Sequence, residues 1–169
     1  MFKGNPGQLR KDWREDKSAV MRRRRQIVAL SLIGAANLSA GTLVQTGLIK
    51  RLPDLACKRC SANRVSTSDA AYALGGPDAP LAAAGMMANA ALAAFGPADR
   101  AEKMPLLPLG ATVKAGADLL GALAYLRHMV VKEKSWCGYC LFSAVATAGI
   151  LALTIPETLQ ALRRLRSRD

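Results

Sequence analysis

The hydrophobic and polar positions of this chain fall in blocks. Ile27 to Ile49 holds no charged residue over 23 positions, and a helix of about 20 residues crosses the hydrocarbon core of a bilayer. Lys50 and Arg51 close this run. Pro80 to Phe95 is Ala-rich, uncharged and shorter, and Gly96-Pro97 ends it. Leu106 to Leu126 is long enough to span but carries Lys114 and Asp118. A last apolar run extends from about Cys137 to Ile155, where Pro156 is expected to stop it. Between these runs lie polar stretches. Residues 1–25 predict a loose tail or a helix on the membrane surface, residues 50–78 a polar segment broken by Gly75-Gly76-Pro77, and residues 99–103 a short charged loop. The pattern predicts an all-α fold, an integral membrane four-helix bundle over residues 27–155. Basic tails (1–26 and 156–169) flank it, and an outer loop carries a Cys-x-x-C pair.

Composition strengthens this reading. The chain has 169 residues, 51% hydrophobic, yet a net charge of +12. Charges are costly in lipid, so their segregation into blocks marks spans. Abundant Ala and Gly let helices approach closely in a bilayer. A basic balance also suits nucleic acid, but the positive residues cluster at the ends of apolar runs without interleaved aromatics, so the expected partner is a lipid bilayer and not nucleic acid. Leu38-Ser39-Ala40 resembles a signal-peptidase site. The apolar run continues well past it, which favours an uncleaved anchor.

Charge also sets orientation. With four spans both tails share a side. Lys and Arg number nine in the N-terminal tail, two in residues 96–105 and four in the C-terminal tail, against five in residues 50–78 and three in residues 127–136. The positive-inside rule then puts both termini in the cytoplasm. Cys57, Cys60, Cys137 and Cys140, the four cysteines of the chain, all fall on the opposite, oxidising side, where disulfides persist.

Three readings of the two Cys-x-x-C pairs compete. Structural bridges would add stability, roughly 4.5 kcal/mol for a loop of nearly eighty residues on the chain-entropy model, but would not need both cysteines of each pair. A four-thiolate zinc site is chemically possible, but such sites are typical of reducing compartments, and Lys58 and Arg59 would oppose the cation, so no metal is expected. Thiol–disulfide exchange needs a thiolate attacker, a good leaving sulfur and access, and is favoured. Ser135 could cap the last helix, placing Cys137 in its first turn, where the helix dipole favours a thiolate. Lys132 and Lys134 would add positive charge. Cys140, one turn further in, is placed for a lipid-soluble oxidant such as a quinone. Trp136 suits an interfacial belt, and Tyr139 is a candidate for lining a quinone pocket. Lys114 and Asp118 share a helical face at i,i+4. They suit a mutually neutralised pair in the bundle interior or, functionally, a proton or quinone contact. His128, the single histidine, receives no role.

The run Cys60-Ser61-Ala62-Asn63-Arg64-Val65-Ser66, then Tyr72-Ala73, Gly75-Gly76-Pro77 and Trp136-Cys137-Gly138-Tyr139-Cys140, resembles the vitamin K epoxide reductase family over roughly residues 27–155. The resemblance implies a four-helix bundle around a quinone, ubiquinone or menaquinone, with a loop lying over the pocket. It implies a bacterial inner-membrane enzyme supporting disulfide formation. A periplasmic thioredoxin-like partner would reduce a Cys57–Cys60 disulfide, Cys60 would attack Cys137 of a Cys137–Cys140 disulfide, and Cys140 would deliver electrons to the quinone. Ser66 matches the family's loop serine, which assists the neighbouring cysteine or lines the pocket; a helix-capping role is the plainer reading. The chain departs from the pattern in its closely spaced loop cysteines, and in Ala144, where some members carry a tyrosine that contacts the quinone. A thioredoxin-like domain, fused in some bacterial members, is not found, so a separate partner is expected. The four-helix quinone reductase that reoxidises the periplasmic dithiol oxidase is the neighbouring possibility, but its quinone-proximal Cys-x-x-C comes early. A non-enzymatic membrane protein with structural disulfides or a four-Cys metal site is the alternative function.

Overall fold

A computed structural model describes residues 5–54 and 58–167. Its α-helices are α1 (Pro6–Glu15), α2 (Ala19–Gln45), α3 (Ala62–Ser66), α4 (Asp78–Ala94), α5 (Arg100–Lys103), α6 (Leu106–His128) and α7 (Gly138–Arg166). A 3₁₀ turn, Asp69–Tyr72, follows α3, and a π-turn, Met129–Glu133, extends α6.

Among the described residues, three segments are long and apolar enough to cross a membrane: α2, α6 with its π-turn, and α7. Their outward side chains bear this out. Val113, Leu120 and Val145 are each more than 70% exposed, a surface that suits lipid rather than water. At 17 residues, α4 falls short of the usual length, but it packs against α2 and more lightly against α6. α7 packs on both α2 and α6. Where α2 meets α4, a Cβ at Gly41 would sit 3.4 Å from the Cβ of Ala79, so small residues set this close approach. The core between the helices is built from Ile27, Ala35, Met86, Ala93, Ala115, Ala146 and Ile150. A second cluster, Val44, Leu52, Ala62, Val65, Met129 and Cys137, lies under the loop that carries α3.

The helix ends differ from expectation in three places. α2 begins at Ala19, where the Ser18 hydroxyl accepts the N–H of Met21 at 3.3 Å, so the four arginines 22–25 are helical. Pro156 does not stop α7, which runs on to Arg166. Pro156 removes only the bond to the Ala152 carbonyl, a loss that membrane helices tolerate when neighbours pack around it. Residues 99–103 contain the short helix α5 rather than only a charged loop.

Two buried guanidiniums organise the end of the bundle remote from α3. Arg24, 1% exposed, donates to the carbonyls of Ala93, Phe95, Gly96 and Pro97 at 2.8–3.0 Å. It thus satisfies the orphan carbonyls at the C-terminus of α4 and meets the negative end of that helix dipole. Its guanidinium also lies 5.2 Å from the centre of the Trp13 ring, and Arg25 donates to the carbonyls of Asp12, Trp13 and Asp16. Together they dock α1, whose start is fixed by Asn5 accepting from the N–H of Gly7 at 2.9 Å, onto the start of α2. Arg100 forms a two-point ion pair with Glu157 of α7 at 2.7 and 2.8 Å.

Candidate redox site

The loop before α3 and the turn before α7 meet as a short parallel bridge between Cys60 and Trp136. Trp136 donates its N–H to the Arg59 carbonyl at 2.8 Å, and Ser61 donates to the Trp136 carbonyl at 2.9 Å. Neighbouring backbones in such a bridge are about 5 Å apart, so Cys60 is docked one residue from Cys137. Ser135, expected to cap α7, instead sends its hydroxyl to the Arg59 carbonyl at 3.2 Å. It helps hold the loop rather than the helix.

The cap of α7 is Cys137 itself. Its sulfur accepts the N–H of Cys140 at 3.3 Å and the Cys140 thiol at 2.7 Å. Its own N–H points at the Met129 sulfur at 3.2 Å, and the residue is wholly buried. Hydrogen bonds from the Cys140 thiol, and from the backbone N–H groups of Cys140 and Tyr139, hold the Cys137 thiol below its ordinary pKa. Burial and Asp54 push the other way but are outweighed. The stabilisation of a thiolate at the head of α7 thus arises from the first turn of the helix rather than from the lysines expected there. We predict that thiolate absorbance of Cys137 in the dithiol form develops at lower pH than in an ordinary cysteine. Cys140→Ala removes the main donor and should move that transition to higher pH. An unchanged midpoint would mean that the thiol–thiol bond does not set the acidity.

Cys140 also lines a cavity of about 290 Å³ bounded by α2, α4, α6, α7 and the end of α3, at the small end of the range for ligand sites. Ser66 and Tyr139, both expected at the pocket, line it. So do Asn37, Gln45, Asp78, Asp118 and Tyr125. Ser66 is buried at the end of α3, and its carbonyl accepts from Gln45 at 3.2 Å. Gln45 also donates to Asp78 at 2.7 Å and accepts the N–H of Ala79 at 2.9 Å, joining α2, α3 and the start of α4. The Tyr125 hydroxyl donates to the Val65 carbonyl at 3.2 Å. Asn37 donates to the Tyr139 carbonyl and to the Ser143 hydroxyl, each at 2.9 Å. α3 is thereby pinned as a cover over the cavity. Tyr139 also lines a second cavity, of about 370 Å³, with Asn37, Pro53, Asp54, Ala62, Gly138 and Phe142.

Cys57 lies outside the described residues. Cys60 is held in a disulfide, whereas Cys137 and Cys140 are free thiols. Ala144 is buried in α7. Of the residues found here, Asn37, Gln45, Asp78 and Tyr125 escaped the sequence reading. The signal available for them was weak: single polar residues at or near the ends of apolar runs, on the same side as the cysteines.

The description "Vitamin K epoxide reductase family" matches residues 25–155, which takes in all the helices that enclose the cavity and both Cys-x-x-C pairs. The chain belongs to the vitamin K epoxide reductase family. No curated protein and no solved structure matches it. Membership agrees with the resemblance carried by the Cys60–Ser66 run and by Trp136 to Cys140. It places the chain among membrane thiol–disulfide oxidoreductases. In this family member the first turn of α7 carries one thiol buried under the docked loop and another that lines the cavity.

Proposed function

We propose that the protein oxidises the thiols of a periplasmic thioredoxin-like partner and passes the electrons to a quinone, ubiquinone or menaquinone, in support of disulfide formation. The observation that carries this reading is the position of the Cys137–Cys140 pair. It lies between the docked Cys60 segment and the cavity that Cys140 lines. In the proposed cycle the partner dithiol reduces a Cys57–Cys60 disulfide and becomes oxidised. The Cys60 thiolate attacks the Cys137 sulfur of the Cys137–Cys140 disulfide, and Cys140 leaves as a thiolate. Cys57 then attacks Cys60, which releases Cys137 and restores the loop disulfide. The Cys137 and Cys140 dithiol closes again to a disulfide as its two electrons and two protons pass to the quinone. Ser66 and Tyr139 are proposed to contact the quinone ring.

The proposed setting is the bacterial inner membrane, with α4 as a fourth span. Residues 27–155 are the working domain, and the basic segments 1–26 and 156–169 lie in the cytoplasm. The charge distribution supports this arrangement, as does the position of Arg24 and Arg100 at the end opposite the cysteines.

The test is anaerobic mixing of the detergent-purified, dithiol-reduced protein with ubiquinone and menaquinone analogues, following quinone absorbance and counting thiols. Stoichiometric quinone reduction with loss of thiols is expected. No quinone reduction with thiols unchanged, or a bound metal, would reject the relay in favour of a structural or metal-binding role.

A further inference from the structure

Asp118 and Gly85 also line the cavity of Cys140, and Lys114, just behind this lining, completes an ion pair with Asp118 that the relay does not use. The Lys114 ammonium donates to Asp118 Oδ2 at 2.6 Å and to the Gly85 carbonyl at 2.9 Å. Asn89 donates to the same Oδ2 at 2.7 Å. Both charged side chains keep more than a quarter of their surface accessible, so they are not sealed between helices. Gly85 leaves room for them: a Cβ there would stand 3.8 Å from Lys114 Nζ and 4.0 Å from Asp118 Oδ1. At 1.5 Å per residue, Asp118 lies about 15 Å from the His128 end of α6. Cys140 lies within the first turn of α7 at that same end. Asp118 and Cys140 therefore line the cavity at positions well separated along the bundle axis.

An ammonium has three donor protons, and two are committed to Asp118 and Gly85. A carboxylate accepts several hydrogen bonds, and both bonds noted above fall on Oδ2. The pair thus combines a donor and an acceptor within one hydrogen-bond length. A quinone oxygen can only accept, whereas the hydroxyl it becomes on two-electron reduction can also donate. A site that must hold both redox forms needs both functions, and an ion pair supplies them without rearrangement. We propose that the Lys114–Asp118 pair binds the ring oxygen remote from Cys140. Lys114 donates to it in the quinone, and Asp118 accepts from its hydroxyl in the hydroquinone. Both electrons and both protons of the reduction come from the Cys137 and Cys140 thiols, so the pair acts by binding and transfers nothing. This inference rests on the quinone reading and adds to it the residues remote from Cys140.

The test uses a Cys140→Ser parent, which cannot turn over and so can be titrated with either form. Short-chain quinone and its hydroquinone are measured by equilibrium dialysis on purified full-length protein. In that parent the double variant Lys114→Met/Asp118→Leu, which leaves no unpaired charge, is expected to bind both forms at least about tenfold more weakly. Asp118→Leu keeps the Lys114 donor and removes the acceptor, which an Asn carbonyl would still supply. It should hold quinone within about threefold of the parent while losing about tenfold for hydroquinone. A purely structural role would weaken the two forms alike. Parent-like binding of both forms by the double variant would overturn the inference and leave the relay standing. Should the double variant not fold, equal retention or equal loss of the two forms in Asp118→Leu would overturn it. A parent that binds neither form would remove both the inference and the quinone reading.

Discussion

Cys140→Ala is expected to abolish quinone reduction by the dithiol-reduced protein, lowering the rate by at least about 10³-fold, as loss of a covalent catalytic group does. Cys140 is the thiol of the pair that lines the cavity, whereas Cys137 is wholly buried beside the docked loop. The two substitutions should therefore fail differently. Cys140→Ala leaves Cys137 able to attack Cys60 of the loop disulfide and release Cys57 as a thiolate; alkylating Cys57 traps this mixed disulfide, visible by mass after peptide digestion, with no electrons reaching the quinone. Cys137→Ala leaves Cys140 at the cavity but breaks the path from the loop, so the partner's thiols stay reduced. Retained quinone reduction in Cys140→Ala would show that electrons leave the protein elsewhere and would sink the relay.

The second large effect concerns stability. Glu157→Ala is expected to destabilise the fold by about 3–5 kcal/mol, because it strands the Arg100 guanidinium as a buried, uncompensated charge. The two side chains are only 2% and 7% exposed. Arg100 also donates to the carbonyls of Leu92 and Phe95 at the end of α4, so the variant should loosen the α4–α7 contact as well as the ion pair. Replacing both partners, Arg100→Met with Glu157→Leu, should recover much of the loss, since an apolar pair of similar volume is often no worse than a buried ion pair. Unfolding in detergent, followed by circular dichroism against denaturant, measures both. A Glu157→Ala protein as stable as its parent would mean that water reaches Arg100.

Some of the site was legible in the chain as written. The uncharged run that begins at Ile27 and the run after Cys137 called for membrane-length helices, because a single long apolar segment satisfies its own backbone hydrogen bonds in lipid only as a helix. The spacing of Cys137 and Cys140 put both sulfurs on one turn, and the motif order carried Ser66 and Tyr139 to the pocket. Other features were not legible because they depend on partners distant in sequence. Ser135 looked like a helix cap because it precedes an apolar run. Whether a hydroxyl caps or reaches across depends on what lies opposite, here the Arg59 carbonyl. Pro156 looked like a stop because local chemistry says so. Glu157, buried immediately after it against Arg100, belongs to a contact that spans 57 positions.

By itself, then, the sequence determined the membrane-length helices, the pairing of cysteines with the loop and with the head of α7, and the family. These are local matters of hydropathy, spacing and motif order. Only the tertiary structure decided that Cys137 caps α7 while Cys140 lines a cavity, and that Asp118, paired with Lys114, lines the same cavity. It also decided that Arg24 and Arg100 leave the row of surface charges to close the end of α4. Each of these outcomes is fixed by hydrogen-bond and charge partners brought together across dozens of residues. A buried polar group takes whatever partner packing supplies, and no local pattern of residue types encodes that choice.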